Sequence, residues 1–224
     1  MRLTDFQLYA AMASLSHDQQ ASINQALFPV SEALHLWLRE RKLVAPFNKL
    51  LITLRDRAHA EKWHGTAAVA LGICEMTQAV PAQAMLEHRG DHSWVCAHVL
   101  DSLQHVAAQT GWRSDELEQE VHLISGRRPP CAHRFPKLSK AARRSDFSCD
   151  VIFEADVGLS SVKVRLSQAN QCVREIVVAS RPGPLHVEDD FPVRKTSIEQ
   201  GQFVLSTKDG TVLAKVELSA NEPG

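Results

Sequence analysis

The stretch CDVIFEADVGLSSVKVRLSQANQCVREIVVAS, residues 149–180, alternates apolar with polar residues and is rich in β-branched side chains. Successive side chains of a β-strand point to opposite faces, so this period of two predicts strands with one buried face. Glycine, aspartate and asparagine interrupt the stretch where turns are expected. Similar segments continue toward the C-terminus. We therefore predict an antiparallel β-sheet or small sandwich over residues 147–219.

The best-defined hairpin of this half crosses Lys208, Asp209 and Gly210. The Asp-Gly pair can supply the positive φ angles of a tight type I′ turn. Alternation on both sides of the turn predicts one buried side of the sheet, formed by Phe203, Leu205, Val212, Ala214, Val216 and Leu218.

The first 125 residues show a helical pattern, because apolar residues recur three and four positions apart between capping and breaking residues. The predicted helices cover residues 4–14, 18–43 with a break at Pro29, 47–63, 66–80, 81–90, 92–110 and 115–125. The segment 66–80 is apolar nearly all round, which is typical of a helix at the centre of a bundle.

These patterns together predict an α+β protein, with an N-terminal helical bundle followed by the C-terminal antiparallel sheet. The expected domain organisation is a helical domain at residues 1–125, a basic Pro/Arg-rich linker at 126–146, a β domain at 147–219 and a frayed tail at 220–224.

The composition is that of an ordinary globular protein, with 44% hydrophobic and 23% charged residues in 224. Its five cysteines are scattered and odd in number, which favours reduced thiols over a disulfide framework. No apolar stretch has the length of a membrane span. We expect a protein of the bacterial cytoplasm that does not associate with a membrane.

The stretch HRGDHSWVCAHVLDSLQH, residues 88–105, contains four histidines and one cysteine. On a helix, His98, Asp101 and His105 share one face and could offer three ligands to a divalent metal. The alternative is a solvated face, since the apolar residues lie nearly opposite. His92 and Cys96 fall on the apolar side, where we expect core residues. The helix thus divides its potential ligands, and no resident metal or other cofactor is predicted.

Two further sets of polar residues are weaker candidates for a site. Cys131 and His133 have zinc-ligand chemistry but lack a second pair at suitable spacing. The run Glu188, Asp189 and Asp190 is too short for a calcium loop, so we predict a charged turn there.

The segment RDRAHAEKWH, residues 55–64, separates Arg57 from His64 by six residues. This spacing resembles that of the HEPN ribonucleases, helical proteins in which arginine and histidine from two protomers meet around an RNA phosphodiester. The resemblance covers these ten residues and implies a dimeric ribonuclease that uses Arg57 and His64 in catalysis. The alternative is a solvated arginine and a histidine at a helix end.

The segment GRRPPCAHRFPKLSKAARR, residues 126–144, concentrates positive charge between two flanks that each carry four more acidic than basic residues. Its cations are Arg127, Arg128, Arg134, Lys137, Lys140, Arg143 and Arg144. They could bind a partner protein with an acidic surface, or pair with the flanking domains. Nucleic acid fits less well, because only Phe135 offers a stacking ring.

The sequence contains no serine nucleophile motif, no glycine-rich phosphate loop and no His-Glu-x-x-His pattern. Together with the segregated charge, this favours a non-enzymatic protein-interaction module, such as an immunity or adaptor protein that neutralises or positions a partner. The HEPN-like ribonuclease is the alternative function.

Overall fold

The computed structural model describes residues 1–141, 147–169, 171–185 and 190–218. The fold is α+β, as predicted. The chain divides into two compact units. The first comprises Met1–Cys131 with Asp156–Gly158, and the second comprises Ala132–Ala155 with Leu159–Gly224. The predicted frayed tail, residues 220–224, lies outside the described residues.

The first unit contains a mixed four-stranded sheet in the order β1-β2-β4-β3. Strands β1 (Asp5–Ala11), β2 (Lys49–Asp56) and β4 (Ile73–Val80) are parallel, whereas β3 (Thr66–Ala70) is antiparallel to β4. Strands β1 and β3 are therefore the two edges of this sheet.

Five α-helices accompany this sheet. Helix α1 (His17–Glu40) connects β1 to β2, while α2 (Arg57–Ala60) and a 3₁₀ turn (Glu61–Trp63) connect β2 to β3. After β4 come α3 (Ala82–Glu87), α4 (His92–Thr110) and α5 (Asp115–Ser125). Among the described residues, no helix combines the length and the apolar composition that crossing a membrane requires.

Alternate residues of the three parallel strands form the core of this unit. Phe6, Leu8, Leu50, Ile52, Leu54, Cys74 and Met76 are all buried. Helix α4 buries Val95, Val99, Leu103 and Val106, the stripe that its sequence spacing predicts. Burial of these side chains supplies the main stabilisation of the unit.

The predicted N-terminal helical bundle is wrong, because residues 4–14, 47–56 and 66–80 contain strands rather than helices. Strand β2 is buried at five of its eight positions and half-buried at two more, and residues 50–54, LLITL, are almost continuously apolar, so its sequence hides the alternation. A parallel strand covered in this way gives a continuous apolar run that resembles a buried helix. Residues 66–80 form the β3–β4 hairpin instead.

The predicted break at Pro29 is also wrong, since α1 continues through this residue. A proline inside a helix costs about 3 kcal/mol. Pro29 is buried together with Ile23, Leu27, Val30 and Leu34, and the burial of this long apolar stripe offsets that cost.

The helices after Pro81 match their prediction closely. Asp91 caps α4 by accepting hydrogen bonds from the N–H groups of Ser93 and Trp94. Gly111 ends the helix in the left-handed conformation, at φ 68°. Helix α5 ends before Gly126, as the sequence predicts.

The second unit contains two sheets, and the predicted antiparallel C-terminal architecture is confirmed. The first sheet has the order β5-β7-β8-β9, with β6 paired to β7, and the second has the order β10-β11-β12. Packing of the two sheets as a sandwich stays a prediction. The strands are β5 (Cys131–Arg134), β6 (Lys140–Ala141), β7 (Phe147–Asp156), β8 (Leu159–Gln168), β9 (Gln171–Pro182), β10 (Lys195–Glu199), β11 (Gln202–Ser206) and β12 (Val212–Glu217).

The hairpin at Gly210 is present, but its predicted type I′ turn is wrong. Only Gly210 of the three loop residues has a positive φ, and the N–H of Thr207 donates to the carbonyl of Thr211 around a three-residue loop. The pairing register shifts just beyond Leu205. This irregularity explains why Val212 is exposed, contrary to prediction, while Phe203, Leu205 and Val216 are buried.

Candidate functional site

Several polar side chains that could do chemistry lie at the carboxyl ends of the parallel strands β1, β2 and β4. Open α/β sheets commonly bind ligands at this edge. Ser14 follows β1, Asp56 ends β2, and Gln78 lies near the end of β4. Helix α4 brings Asp101 and His105 to the same region.

Asp56 is a buried carboxylate held by donors on two elements. The hydroxyl of Ser14 donates to Oδ2, and the N–H of Ala58 donates to Oδ1 at 3.2 Å. These hydrogen bonds, that from Ser14 foremost, lower the pKa of Asp56 below its ordinary value. A carboxylate with a lowered pKa is a weak base, so this pair anchors the start of α2 rather than activating Ser14.

A second group of polar residues, the histidine cluster, consists of His64, Asp101 and His105. Their potential ligand atoms lie within 4.8 Å of one another. The His64 and His105 rings meet edge to face with centroids 5.8 Å apart, and Nε2 of His105 lies 3.8 Å from Oδ2 of Asp101. The cluster joins the end of the 3₁₀ turn to α4.

Buried amide and hydroxyl groups hold the histidine cluster in place. The Nε2 amide of Gln78 donates to Asp101 at 2.6 Å, and the hydroxyl of Ser102 donates to Oε1 of Gln78 at 2.6 Å. Gly65 has φ 69°, and a Cβ at this position would lie 2.9 Å from Cε1 of His105. A glycine is therefore required where the backbone passes the His105 ring.

The tautomer of the His64 ring determines which of its nitrogens could bind a metal. Its Nδ1 accepts a hydrogen bond from the N–H of Ala79, so the neutral ring carries its proton on Nε2. A histidine that ligates a metal through one nitrogen normally donates from the other. His64 has the opposite arrangement, which makes it a poor metal ligand.

The structure brings together only two of the three residues that the sequence predicted as candidate metal ligands. Asp101 and His105 belong to the histidine cluster, but its third member is His64 instead of His98. His98 packs edge to face against Trp94, with ring centroids 4.1 Å apart, and burial lowers its pKa. The sequence could not indicate His64, because its approach depends on the β3–β4 hairpin that the helical interpretation missed.

Arg57 and His64 do not share a continuous helix. Arg57 is the exposed first residue of the four-residue α2, and His64 is an exposed residue that follows the 3₁₀ turn. The side-by-side helical arrangement expected for the HEPN-like pair is thus absent. The structure places His64 against Ala79 and His105 instead. Ribonuclease activity stays an untested prediction.

The basic segment, residues 126–146, contains both paired and unpaired cations. Arg127 contacts Glu120 and Arg134 contacts Asp150, each at 2.8 Å. Arg128, Lys137 and Lys140 are exposed and have no carboxylate within 4 Å among the described residues. Arg143 and Arg144 lie outside the described residues.

Three of the buried thiols are poor nucleophiles at neutral pH. None of the five cysteines, all within the described residues, forms a disulfide. Burial raises the pKa of Cys74 and of Cys149 to about 11 and that of Cys96 to about 12. His92 and Cys96 are buried core residues, as predicted.

The two remaining sequence candidates show no metal arrangement among the described residues. Cys131 is buried and His133 is half-buried on β5, and neither joins a group of potential ligands. Asp190 pairs with Arg181 at 2.8 Å, while Glu188 and Asp189 lie outside the described residues.

Comparison of the chain with known proteins gives no match to a protein family, to a curated protein or to a solved structure. The functional argument therefore rests on the residues and contacts of this chain.

Proposed function

We propose that this protein is a non-enzymatic protein-interaction module that binds an acidic partner protein through a basic loop, residues 135–140. An immunity protein that neutralises its partner, or an adaptor that positions it, would act in this way. The observation that carries the proposal is the combination of a hydrogen-bonded loop backbone with lysines that lack acidic neighbours among the described residues.

The backbone of the basic loop is well fixed. The carbonyl of Phe135 accepts hydrogen bonds from the N–H groups of Leu138 and Ser139 and from the Ser139 hydroxyl, at 3.0–3.1 Å. The N–H of Phe135 donates to Val151, and the hydroxyl of Thr196 donates to the Leu138 carbonyl at 2.9 Å. A loop fixed in this way loses little conformational entropy when a partner binds.

The charge of the loop is available to a partner. Lys137 and Lys140 are exposed, and among the described residues neither has a carboxylate within 4 Å. Two exposed ammonium groups three residues apart in the sequence attract an acidic surface, and salt weakens such an attraction. A nucleic acid fits this loop less well, because its single aromatic ring, Phe135, is half-buried against His133.

The histidine cluster does not favour an enzyme over this proposal. The carboxylate of Asp101 accepts a hydrogen bond from the Gln78 amide, and Nδ1 of His64 accepts one from the N–H of Ala79. The first contact attaches α4 to β4 and the second attaches the end of the 3₁₀ turn to β4, which are structural roles.

The decisive experiment compares two charge reversals in the second unit. The variant Lys137→Glu/Lys140→Glu should lose an acidic protein that co-purifies with the wild type from its host. The control Lys208→Glu/Lys215→Glu changes the same charge at two other exposed lysines and should retain it. Quantitative mass spectrometry of the purified complexes measures both, at low and at high salt. Equal losses in the two variants, or recovery of the wild type only as an isolated chain at low salt, would refute the proposal.

The C-terminal end of the basic segment allows a second test. Arg143→Glu/Arg144→Glu should weaken the same complex in a salt-dependent manner, while the melting temperature stays nearly unchanged. Cations that serve a partner contribute little to the stability of the isolated chain, so the reversal should affect binding and leave the fold intact. A large fall in melting temperature with unaltered binding would assign these arginines to the fold.

A further inference from the structure

Some peptide groups of the edge strand β3 point away from the sheet. It is joined to β4 by a two-residue turn at Leu71 and Gly72, whose φ angles of 51° and 82° are typical of type I′. The residues next to such a turn, Ala70 and Ile73, form a hydrogen-bonded pair, and such pairs alternate with non-bonded ones. Ala67 and Val69 fall in the non-bonded pairs. Their N–H and C=O groups consequently point outward from the edge.

One side chain forms hydrogen bonds with the outward-pointing peptide groups at the N-terminal end of β3. Gln109 of α4 accepts a hydrogen bond from the N–H of Ala67 at 3.0 Å and donates one to the carbonyl of Gly65. These contacts support the outward direction of the Ala67 peptide group. Beyond them, the Ala67 carbonyl and both groups of Val69 have no hydrogen-bond partner in the described part of the chain.

Side chains of α1 occupy much of the opposite edge of the same sheet. The outward N–H groups of Leu8, Ala10 and Met12 donate to side chains of α1, at 3.1, 2.7 and 2.7 Å. The acceptors are Ser31, Asn24 and Gln20. Helix α1 therefore prevents another strand from pairing with β1, whereas among the described residues β3 has no comparable cover beyond Gln109.

Strand β3 also lacks the features that usually prevent pairing between edge strands. Charged side chains, prolines and bulges discourage such pairing. The edge strand β9 has Arg174, Glu175 and two register shifts. In contrast, residues 66–74 contain neither a charge nor a proline.

The apolar side chains around β3 are unusually exposed. Val69 is 47% exposed, Leu71 is 101% exposed, and Trp63 and Ile73 are also exposed. A group of exposed apolar residues next to an unpaired strand edge is typical of an interaction surface.

We propose that β3 pairs with β3 of a second copy of this chain, in an antiparallel arrangement about a two-fold axis at Val69. The two Val69 residues would exchange two backbone hydrogen bonds, and Ala68 of each copy would face Ala70 of the other. All facing side chains are alanine or valine, so no like charges meet. The two sheets would join into one of eight strands.

Charge favours a second copy over the acidic partner of the basic loop. The edge offers no cation to an acidic strand, whereas its small uncharged residues match an identical strand in size and charge. The dimer is independent of the proposed function, because the basic loop belongs to the second unit.

Sedimentation velocity over micromolar to submillimolar concentrations tests the proposal directly. The wild type should reach twice the mass of one chain. Val69→Pro removes the outward N–H without removing a bond to β4, and should weaken the dimer by at least about tenfold, because each dimer loses two hydrogen bonds. Val69→Thr keeps the N–H and the β-branched shape, and should dimerise like the wild type.

A disulfide provides a second measurement that does not depend on tolerance of proline. In a Cys172→Ser background, which removes the exposed native thiol, Val69→Cys should form a covalent dimer on mild oxidation. The two Cα atoms of a hydrogen-bonded pair are about 5.5 Å apart, which suits a disulfide. Val173→Cys on β9 is the control, since Val173 is 46% exposed. It should remain monomeric.

A wild type that is monomeric at every concentration, with equal oxidation of the two cysteine variants, would overturn the proposal. A monomeric wild type that binds another protein through a Val69→Pro-sensitive contact would also overturn it and assign the edge to a foreign strand.

Discussion

The backbone N–H of Ala79 donates to Nδ1 of His64, with 3.1 Å between the two nitrogen atoms. This bond places the His64 proton on Nε2, where a metal would have to bind. We expect Zn²⁺ to leave the melting temperature within about 1 °C of the metal-free value, since only tight binding stabilises a fold measurably. Differential scanning fluorimetry with and without excess Zn²⁺ measures this. A rise of several degrees that His105→Ala abolishes would contradict the argument.

Ser14 should stabilise the fold through Asp56. A hydrogen bond to a charged group contributes about 1.5 to 3 kcal/mol, so Ser14→Ala should lower the free energy of unfolding by about this amount at neutral pH. The pKa of Asp56 is lowered in the folded state. Its contribution is therefore present above the ordinary pKa of 3.8 and is lost as the pH falls through the lower folded-state value.

Chemical denaturation at neutral and at strongly acidic pH tests this expectation. The control is Ser16→Ala, which removes the neutral N-cap of α1 and should cost about 0.5 to 2 kcal/mol. The loss of unfolding free energy caused by Ser14→Ala should be smaller in acid than at neutral pH, whereas the loss caused by Ser16→Ala should be the same at both. Parallel behaviour of the two variants would exclude a role for the Asp56 charge.

Local patterns predicted much of the fold where one face of an element meets water. Strands β7 and β8 alternate buried and less buried residues, and α4 has a polar cap, an apolar stripe and a terminal glycine. The parallel strand β2 was mistaken for a helix because residues 50–54 are almost continuously apolar. Strand β4 was mistaken for a helix because Ile73 is exposed while Gln78 is buried, so the polarity of its residues does not follow their burial.

Only the residues of the histidine cluster that lie on one helix could be predicted from the sequence. Asp101 and His105 are four residues apart on α4, so helical geometry places them together. His64 reaches them through the β3–β4 hairpin, and Gly65 and Gln78 matter because of contacts between distant parts of the chain. No spacing in a single sequence contains that information.

Arg57 should have no role in RNA cleavage. The structure places Arg57 on a four-residue helix and engages His64 with the Ala79 backbone, so the two lack the shared helical face of the HEPN-like arrangement. We expect the wild type and Arg57→Ala to leave RNA equally intact. Incubation of both purified proteins with a labelled RNA measures this. Cleavage by the wild type that Arg57→Ala abolishes would restore the ribonuclease hypothesis.

Buried His92 should make the fold sensitive to mild acid. Neither ring nitrogen has a hydrogen-bond partner among the described residues, and Oδ1 of Asp156 lies 3.7 Å from Nε2. Burial lowers the pKa of His92. Below about pH 6.5 the unfolded chain takes up a proton that the folded chain does not, so this residue reduces stability as the pH falls.

Replacement of His92 by phenylalanine tests this pH dependence. His92→Phe should lose less free energy of unfolding than the wild type between neutral pH and pH of about 5, because the ring no longer titrates. The control is His17→Phe, since the His17 side chain is 97% exposed and its replacement should leave the wild-type slope unchanged. Urea denaturation at both pH values gives the slopes. Identical slopes for the wild type and His92→Phe would contradict the prediction.

Gln109 should have little effect on the pairing of β3 with a second copy, in contrast to Val69→Pro. Its side chain binds the Ala67 N–H and the Gly65 carbonyl. With the two-fold axis at Val69, these two groups face residues of the second copy that lie beyond the C-terminal end of its β3, so a second strand cannot use them. Gln109→Ala should therefore leave the association unchanged, as should Gln104→Ala, an exposed change on the same helix. Sedimentation velocity of both variants and the wild type measures this. A clearly tighter dimer of Gln109→Ala in a fully folded protein would mean that the strands pair in another register and would contradict the axis at Val69.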